Sequence, residues 1–251
     1  MVAGTEGAAH PGAPRDENPG SNRVLAMLAE ADAALILPHL KPVPLHPGQI
    51  LGQTGTSLSW VLFPGTGVVV SLVAMDRAGH TMEAVSVGRE GLIGPELAHL
   101  PEFGHLQVQM PGIGYRMDSA MLDRLAGGSA GLREALALHQ RALLVHVLQS
   151  AVCSALHPVE ARVSRWLLMA QDRTGHPDLP VTQELLAEML GVRRTTVTRV
   201  MAQLSDRGLI QHRRSWVTVL DREGLEHAAC GCHAALLQRL RHVAPALYPP
   251  N

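Results

Sequence analysis

The spacing of apolar residues changes character three times along the chain. From Lys41 to about Met117, short apolar runs are separated by Gly, Pro and Asp at close intervals, as in VPLHPGQILGQTGT, LSWVLFPGTGVVVSLVAM, DRAGHTMEAVSVGREGLIG and HLQVQMPGIGYRM. Many short strands with turn signals about every 8 to 12 residues predict a β-barrel or roll. Before them, Asn22 to Leu40 carries short helical patterns ended at Pro38. Leu132 to Leu156 is one long helical pattern closed by Pro158, with Leu138, Ala142, Val145, Gln149 and Val152 at the 3-4 spacing of a coiled-coil seam. Leu136, Leu143, Leu144, Val147 and Leu148 leave little of its surface polar. A helix apolar nearly all round is buried on most sides, so one side is expected against the roll and another against a mate in a two-fold dimer.

The fourth texture, Val181 to Arg214, is two short helical patterns and a hairpin. Thr182 is a good N-cap, and Leu185, Leu186, Met189 and Leu190 make a helix from about Gln183 to Leu190. Gly191 supplies the left-handed exit, and the next helix buries Val197, Val200, Met201 and Leu204. Two such helices joined by a Gly turn are a helix-turn-helix signature. With that stripe inward, Arg194, Thr195 and Thr198 project outward, with Arg193 and Arg199 at the edges. Arginine can donate two hydrogen bonds to guanine or pair with phosphate, and threonine can meet phosphate or the thymine methyl group. Beyond Leu209 and Ile210, a basic tip at His212, Arg213, Arg214 and Ser215 precedes Trp216, Thr218 and Leu220 alternating with Val217 and Val219. Such a hairpin is suited to lie as a wing on the phosphate backbone.

Composition agrees with two modest domains: 251 residues, 46% hydrophobic against 17% charged. The formal net charge is only −1. Local charge matters more, because Arg193, Arg194, Arg199, Arg207, Arg213 and Arg214 crowd one region opposed only by Asp206. No apolar run approaches the roughly 20 residues of a membrane span. The stretch MVAGTEGAAHPGAPRDENPG lacks the apolar core of a signal peptide, so a cytoplasmic protein with a disordered tail over residues 1–21 is expected. Residues 22–128 are then the roll, 129–157 the dimerisation helix and 158–251 the winged helix, with its helix-turn-helix at 182–204. Ser, His and Asp occur in no recognisable nucleophile setting, and neither H-E-x-x-H nor a P-loop is present, so an enzyme is not expected.

The Val181 to Thr198 stretch VTQELLAEMLGVRRTTVT, then GLI at 208–210, LDREGLEHAAC at 220–230 and HPVEARVSRWLL at 157–168 together resemble the Crp/Fnr superfamily of bacterial transcription regulators. The resemblance covers nearly the whole C-terminal third. It implies an α+β fold: an N-terminal β-roll like a cyclic-nucleotide-binding domain (a double-stranded β-helix), a long dimerisation helix, and a C-terminal winged helix-turn-helix. It further implies a homodimer on double-stranded DNA at an imperfect palindrome, with RNA polymerase as a further candidate partner. The resemblance carries base reading onto Arg194, Thr195 and Arg199, and phosphate contact onto Thr182, Arg193 and Thr196. Well-known members have glutamate where this chain has Thr195, so the half-site should differ. A regulatory module acting mainly through protein contacts is the alternative.

Effector chemistry is less defined. In members that bind cyclic nucleotides, a Gly-Glu pair and an Arg-Ser or Arg-Thr pair cradle the cyclic phosphate. Here Gly94 and Glu96 flank Pro95, and Gly104, His105 and Leu106 stand where the arginine belongs. A buried phosphate needs a fixed cation or backbone donors, so cyclic AMP is disfavoured as ligand. The family's iron-sulfur proteins carry an N-terminal cysteine group, whereas this chain has only Cys153, Cys230 and Cys232, which disfavours that cofactor. Cys230, Cys232 and His233 invite comparison with a metal or thiol sensor, but the usual C-x-x-C spacing and a second ligand pair are lacking. His139 and His146, seven apart on the face of Cys153, could line a haem or metal site or simply pack an interface. No metal ligand and no cofactor are assigned on sequence.

Overall fold

The computed structural model describes residues 18–53, 55–56, 58–94 and 103–249. Seven strands build the roll: β1 Lys41–Leu45, β2 Ile50–Gln53, β3 Trp60–Pro64, β4 Val69–Met75, β5 Thr81–Val87, β6 Gly104–Met110 and β7 Gly112–Asp118. They form two antiparallel sheets, ordered β1-β7-β3 and β2-β6-β4-β5. Leu62, Leu72, Val85, Val87, Ile93, Leu106 and Val108 fill the space between them. A Cβ at Gly104 would collide with the carbonyl oxygen of Val73, so of the three residues standing where the family resemblance expects an arginine, the first admits only glycine. Pro95 and Glu96 lie outside the described residues.

Two short helices, α1 Arg23–Ala26 and α2 Glu30–Ile36, precede the roll. The expected tail over residues 1–21 falls mostly outside the described residues, but Pro19–Ser21 form a 3-10 turn, so defined structure begins before that boundary. The reason is Asn22, which is fully buried: its amide donates to the carbonyls of Pro64 and Gly91 while its Oδ1 caps α1 through the amides of Val24 and Leu25.

After β7 come α3 Ser119–Gly128 and the long helix α4 Ala130–Leu156, started by Ser129, whose Oγ accepts from the Leu132 amide. Pro158 begins α5 Val159–Thr174, which Gly175 ends in the left-handed conformation. Then follow β8 Asp178–Leu179, α6 Gln183–Leu190, α7 Arg194–Asp206, the hairpin β9 Ile210–Arg213 and β10 Trp216–Val219, and two closing helices, α8 Arg222–Ala228 and α9 Cys232–Val243. The small sheet is ordered β8-β10-β9.

The expected seam of α4 requires correction. Ala142 and Gln149 are buried within their own chain, and Leu138 and Val145 pack partly against its core. Helix α9 lies along that side of α4, bringing Leu236 and Leu240 into the same cluster, with Arg239 hydrogen-bonded to the Gln149 side chain. The apolar face left to solvent is Leu144, Leu148, Val152 and Leu156, with Val147 beside it. Of the seam expected from spacing, only Val152 belongs to it.

The two halves of the chain share one core. Val69, Val73 and Met110 of the roll cluster with Val163, Trp166 and Leu167 of α5 and with the apolar stripes of α6 and α7. A buried polar network fastens the same surfaces. Arg173 of α5 pairs with Glu90 at 2.8 Å and donates to Ser86 Oγ and to the Ser86 carbonyl, both at 2.8 Å. Trp166 Nε1 donates to Glu83, which also accepts from Ser71. Burial is the largest single influence and raises the Glu90 carboxyl, but the Arg173 charge together with the hydrogen bonds from Arg173 and the backbone makes the net shift downward.

Candidate nucleic-acid interface

Each side chain of the helix-turn-helix stands where its helical register puts it. Val197, Val200, Met201 and Leu204 are buried, so the opposite face of α7 is solvent-facing, and Arg193, Arg194, Thr195, Thr198 and Arg199 are exposed on it. Arg193 is the residue just ahead of α7 and Arg194 its first. Thr196, one of the expected phosphate contacts, is only half-exposed. Gly191 makes the turn at φ 62°, the left-handed region that favours glycine, with a place for a Cβ only 3.2 Å from Met82 of the roll.

Local bonds fix the pieces. Thr182 Oγ accepts from the Leu185 amide at 3.1 Å, as an N-cap should, which leaves its hydroxyl proton free to be donated elsewhere. Thr198 donates to Gln183 Oε1 at 2.7 Å, tying α7 to the first turn of α6. His212 Nδ1 meets Ser205 Oγ at 2.8 Å, which ties the wing back to α7. Arg194 is paired with Glu184 at 3.0 Å, but the side chains are 66% and 74% exposed, and such a pair is worth well under about 1 kcal/mol. Arg194 can therefore exchange that partner for a stronger one.

Thr182, Glu184, Arg194, His212, Arg213 and Arg214 line a groove of about 540 Å³ between the first turn of α6, the start of α7 and the wing. Three arginines and one histidine against one carboxylate give it an excess of positive charge. Arg193, Thr195, Thr196 and Arg199 do not line it; they continue the exposed and half-exposed surface along α7. Gln183 and Glu184 were not among the residues expected from sequence. Their position in the first turn after the Thr182 cap was the available signal, since the first turn of α6 abuts the start of α7 in a helix-turn-helix.

The structure separates the histidines and cysteines differently from their sequence grouping. His139 packs against Gly91 and is pushed down to about 4 by burial, while His146 approaches Arg173 and is lowered by burial first and by the Arg173 and Arg165 charges next. His233 turns to Asp172 at 2.8 Å. Cys153 meets Cys230 instead, and His157, which spacing does not group with the cysteines, approaches Cys232. The hydrogen bond between Cys153 and Cys230 holds one proton between two sulfurs, lowering the Cys153 thiol and raising that of Cys230.

The roll, the long helix and the helix-turn-helix with its basic wing are an arrangement also found in known proteins. Residues 161–228 match the family model of the Crp-like helix-turn-helix domain. The fold is similar to FixK2 from Bradyrhizobium japonicum, with a TM-score of 0.64 at 15% identity over 76% of this chain and 98% of that one. A CRP-family transcriptional regulator from Thermus thermophilus gives 0.61 at 18% identity over 75% and 96%. The c-di-GMP-responsive global regulator CLP of Xanthomonas campestris gives 0.61 at 16% identity over 76% and 99%. No curated protein sequence matches the chain. The chain thus carries a Crp-like helix-turn-helix domain on a Crp/Fnr-type transcription-regulator fold, as the resemblance of 157–168, 181–198 and 220–230 implied. No helix among the described residues is long and apolar enough to cross a membrane.

Proposed function

We propose that the protein is a homodimeric, sequence-specific DNA-binding transcription regulator whose recognition helix is α7. The observation that carries this reading is the cluster of exposed arginines and threonines at the start of α7, rigidly tied through Thr198 and Ser205 to α6 and the wing. A side chain reads a base only if its backbone is held in place, and here both neighbours hold it. Arg194, Thr195 and Arg199 are assigned to base edges. Thr182, through its free hydroxyl proton, and Arg193, Thr196, His212, Arg213 and Arg214 are assigned to phosphates, where they add affinity without base information. With Nδ1 committed to Ser205, His212 would use Nε2.

The second copy is assigned to the exposed apolar stripe Leu144, Leu148, Val152 and Leu156. Its spacing of four residues along α4 makes it a ridge of the kind that packs into the groove of a second helix. A two-fold pair of readers then meets successive major grooves about 34 Å apart, which calls for an imperfect palindrome. The signal is assigned to the roll. Because Arg173, Glu90, Ser86, Trp166 and Glu83 seat α5 on the roll, anything that alters β4, β5 or their loops shifts α5 and with it the reader.

Selection of bound sequences from random duplex DNA by the purified protein, with and without cell extract, tests this proposal. An enriched inverted repeat is the expected result. Retention of DNA without enrichment would contradict it, and a module acting through protein contacts would become the better reading.

A further inference from the structure

Outside the reader, four ligand-type side chains converge where the long helix gives way to the DNA-binding half. Cys153 belongs to the last turn of α4 and His157 caps its end, while Cys230 and Cys232 flank Gly231 between α8 and α9. Their four ligating atoms all lie within 4.8 Å of one another. Cys153 Sγ is 3.4 Å from Cys230 Sγ, and Cys232 Sγ is 3.4 Å from His157 Nδ1. The thiols are buried and unbridged, and His157 stands half-buried at the rim.

We propose that Cys153, His157, Cys230 and Cys232 hold a single tetrahedral metal ion of the zinc class. Buried cysteines often serve as small hydrophobes. These make a poor core, since with Ala161 they form an isolated cluster without one large side chain. As ligands they fit. Zn–S bonds of about 2.3 Å and Zn–N bonds of about 2.0 to 2.1 Å set tetrahedron edges of about 3.5 to 3.8 Å, within a few tenths of an ångström of both separations above. An iron-sulfur cluster places several irons and sulfides between its thiolates and needs them spread wider.

Charge is also provided for. Three thiolates and a neutral imidazole around a dication leave one net negative charge. The charges of Arg162 and Arg165 on α5 are felt at these sulfurs. Arg165 is buried, and its Nε has no hydrogen-bond partner among the described residues. On binding, thiols still protonated release their protons to solvent. The ion would fasten the end of α4 to the α8–α9 junction and so fix the angle at Pro158, where the DNA-binding half departs. This site stands independently of the assignment of α7 as the reader.

The test uses reduced full-length protein, stripped with chelator and titrated with Co2+ and then Zn2+. Expected are thiolate-to-cobalt charge transfer and tetrahedral d–d absorption saturating at one equivalent, loss of both on adding zinc, and a melting temperature several degrees higher with zinc. His157→Ala, at the rim, and Cys230→Ala should each weaken zinc by more than about tenfold. Unaltered circular dichroism of His157→Ala would separate lost ligation from lost folding. The proposal is overturned if the reduced protein shows no saturable cobalt absorption or if both variants keep tight stoichiometric binding. It is equally overturned if saturating zinc gives Cys153 and Cys230 no protection from disulfide formation when the reduced protein is exposed to air.

Discussion

Replacing Arg173 by Met tests how the two halves of the chain are held together. Arg173 and Glu90 are 8% and 6% exposed at the side chain, and the guanidinium also satisfies Ser86 Oγ and the Ser86 carbonyl. Met fills similar volume but leaves the Glu90 carboxylate with backbone amides alone, those of Gly88 and of Glu90 itself. Stranding a buried charge costs about 3 to 5 kcal/mol. With a urea m-value at the upper end of about 1 to 3 kcal/mol/M, the unfolding midpoint falls by more than about 1 M. The pH dependence changes sign as well. In the native pair the Glu90 carboxyl lies below its ordinary value, so its stabilisation is present above the unfolded value and lost as pH falls through the folded one. Without Arg173, burial dominates and lifts the Glu90 carboxyl above its unfolded value, so the penalty is relieved as pH falls through the raised value. The gap between variant and native protein should therefore narrow on acidification, and adding Glu90→Gln should recover most of the loss at neutral pH. Urea titrations of the three proteins at several pH values measure this. A deficit below about 1 kcal/mol for Arg173→Met, or a gap independent of pH, would refute the reasoning.

Leu148→Asp places a charge in the centre of the proposed seam on each of two chains, at a cost of several kcal/mol of association. Sedimentation should show monomers with unchanged circular dichroism, and an intact dimer would move the interface elsewhere. His139, held neutral down to about pH 4 against an ordinary 6.5, leaves the unfolded chain binding the extra proton between those values. His139 should thus contribute a loss of stability of up to about 1.4 kcal/mol per unit as pH drops through that window; His139→Gln removes this part of the slope and leaves the part due to His146, which is also lowered. Cyclic AMP at millimolar concentration should shift neither melting temperature nor DNA affinity, since β6 offers Gly104, His105 and buried Leu106 where a phosphate would need a fixed cation. A shift of several degrees would contradict this.

What the sequence disclosed and what it hid divide along a physical line. Helices α6 and α7, their caps and their exposed arginines were legible because burial there is decided by local register: Gly191 sets the turn, and Val197, Val200, Met201 and Leu204 leave only one face for Arg194 and Thr195. The strands were legible for the same reason, their Gly and Pro punctuation being local. Helix α4 is apolar on nearly every side, and periodicity cannot say which apolar face meets its own chain. Helix α9, almost a hundred residues on, decided that by covering Gln149 and Ala142. Long-range pairs were equally hidden. Glu90 and Arg173 lie 83 positions apart, and Cys153 and Cys230 lie 77 apart. His157 read as part of a family-like HPVEARVSRWLL stretch, and only the fold brings it to Cys232.

The most direct test of α7 as the reader compares Arg194→Ala with Arg214→Ala in selected sequence and in the dependence of affinity on salt. Arg194→Ala should cost about 1 to 3 kcal/mol and relax preference at one base pair in each half-site. Arg214→Ala should weaken binding to all sequences nearly alike and lower the salt slope by roughly 1 per contact removed, because released counterions report phosphates. Glutamate in place of Thr195 should move preference towards a half-site that presents a cytosine amino group. Two arginine variants indistinguishable in both selected sequence and salt slope would contradict the assignment of α7 as the base-reading helix.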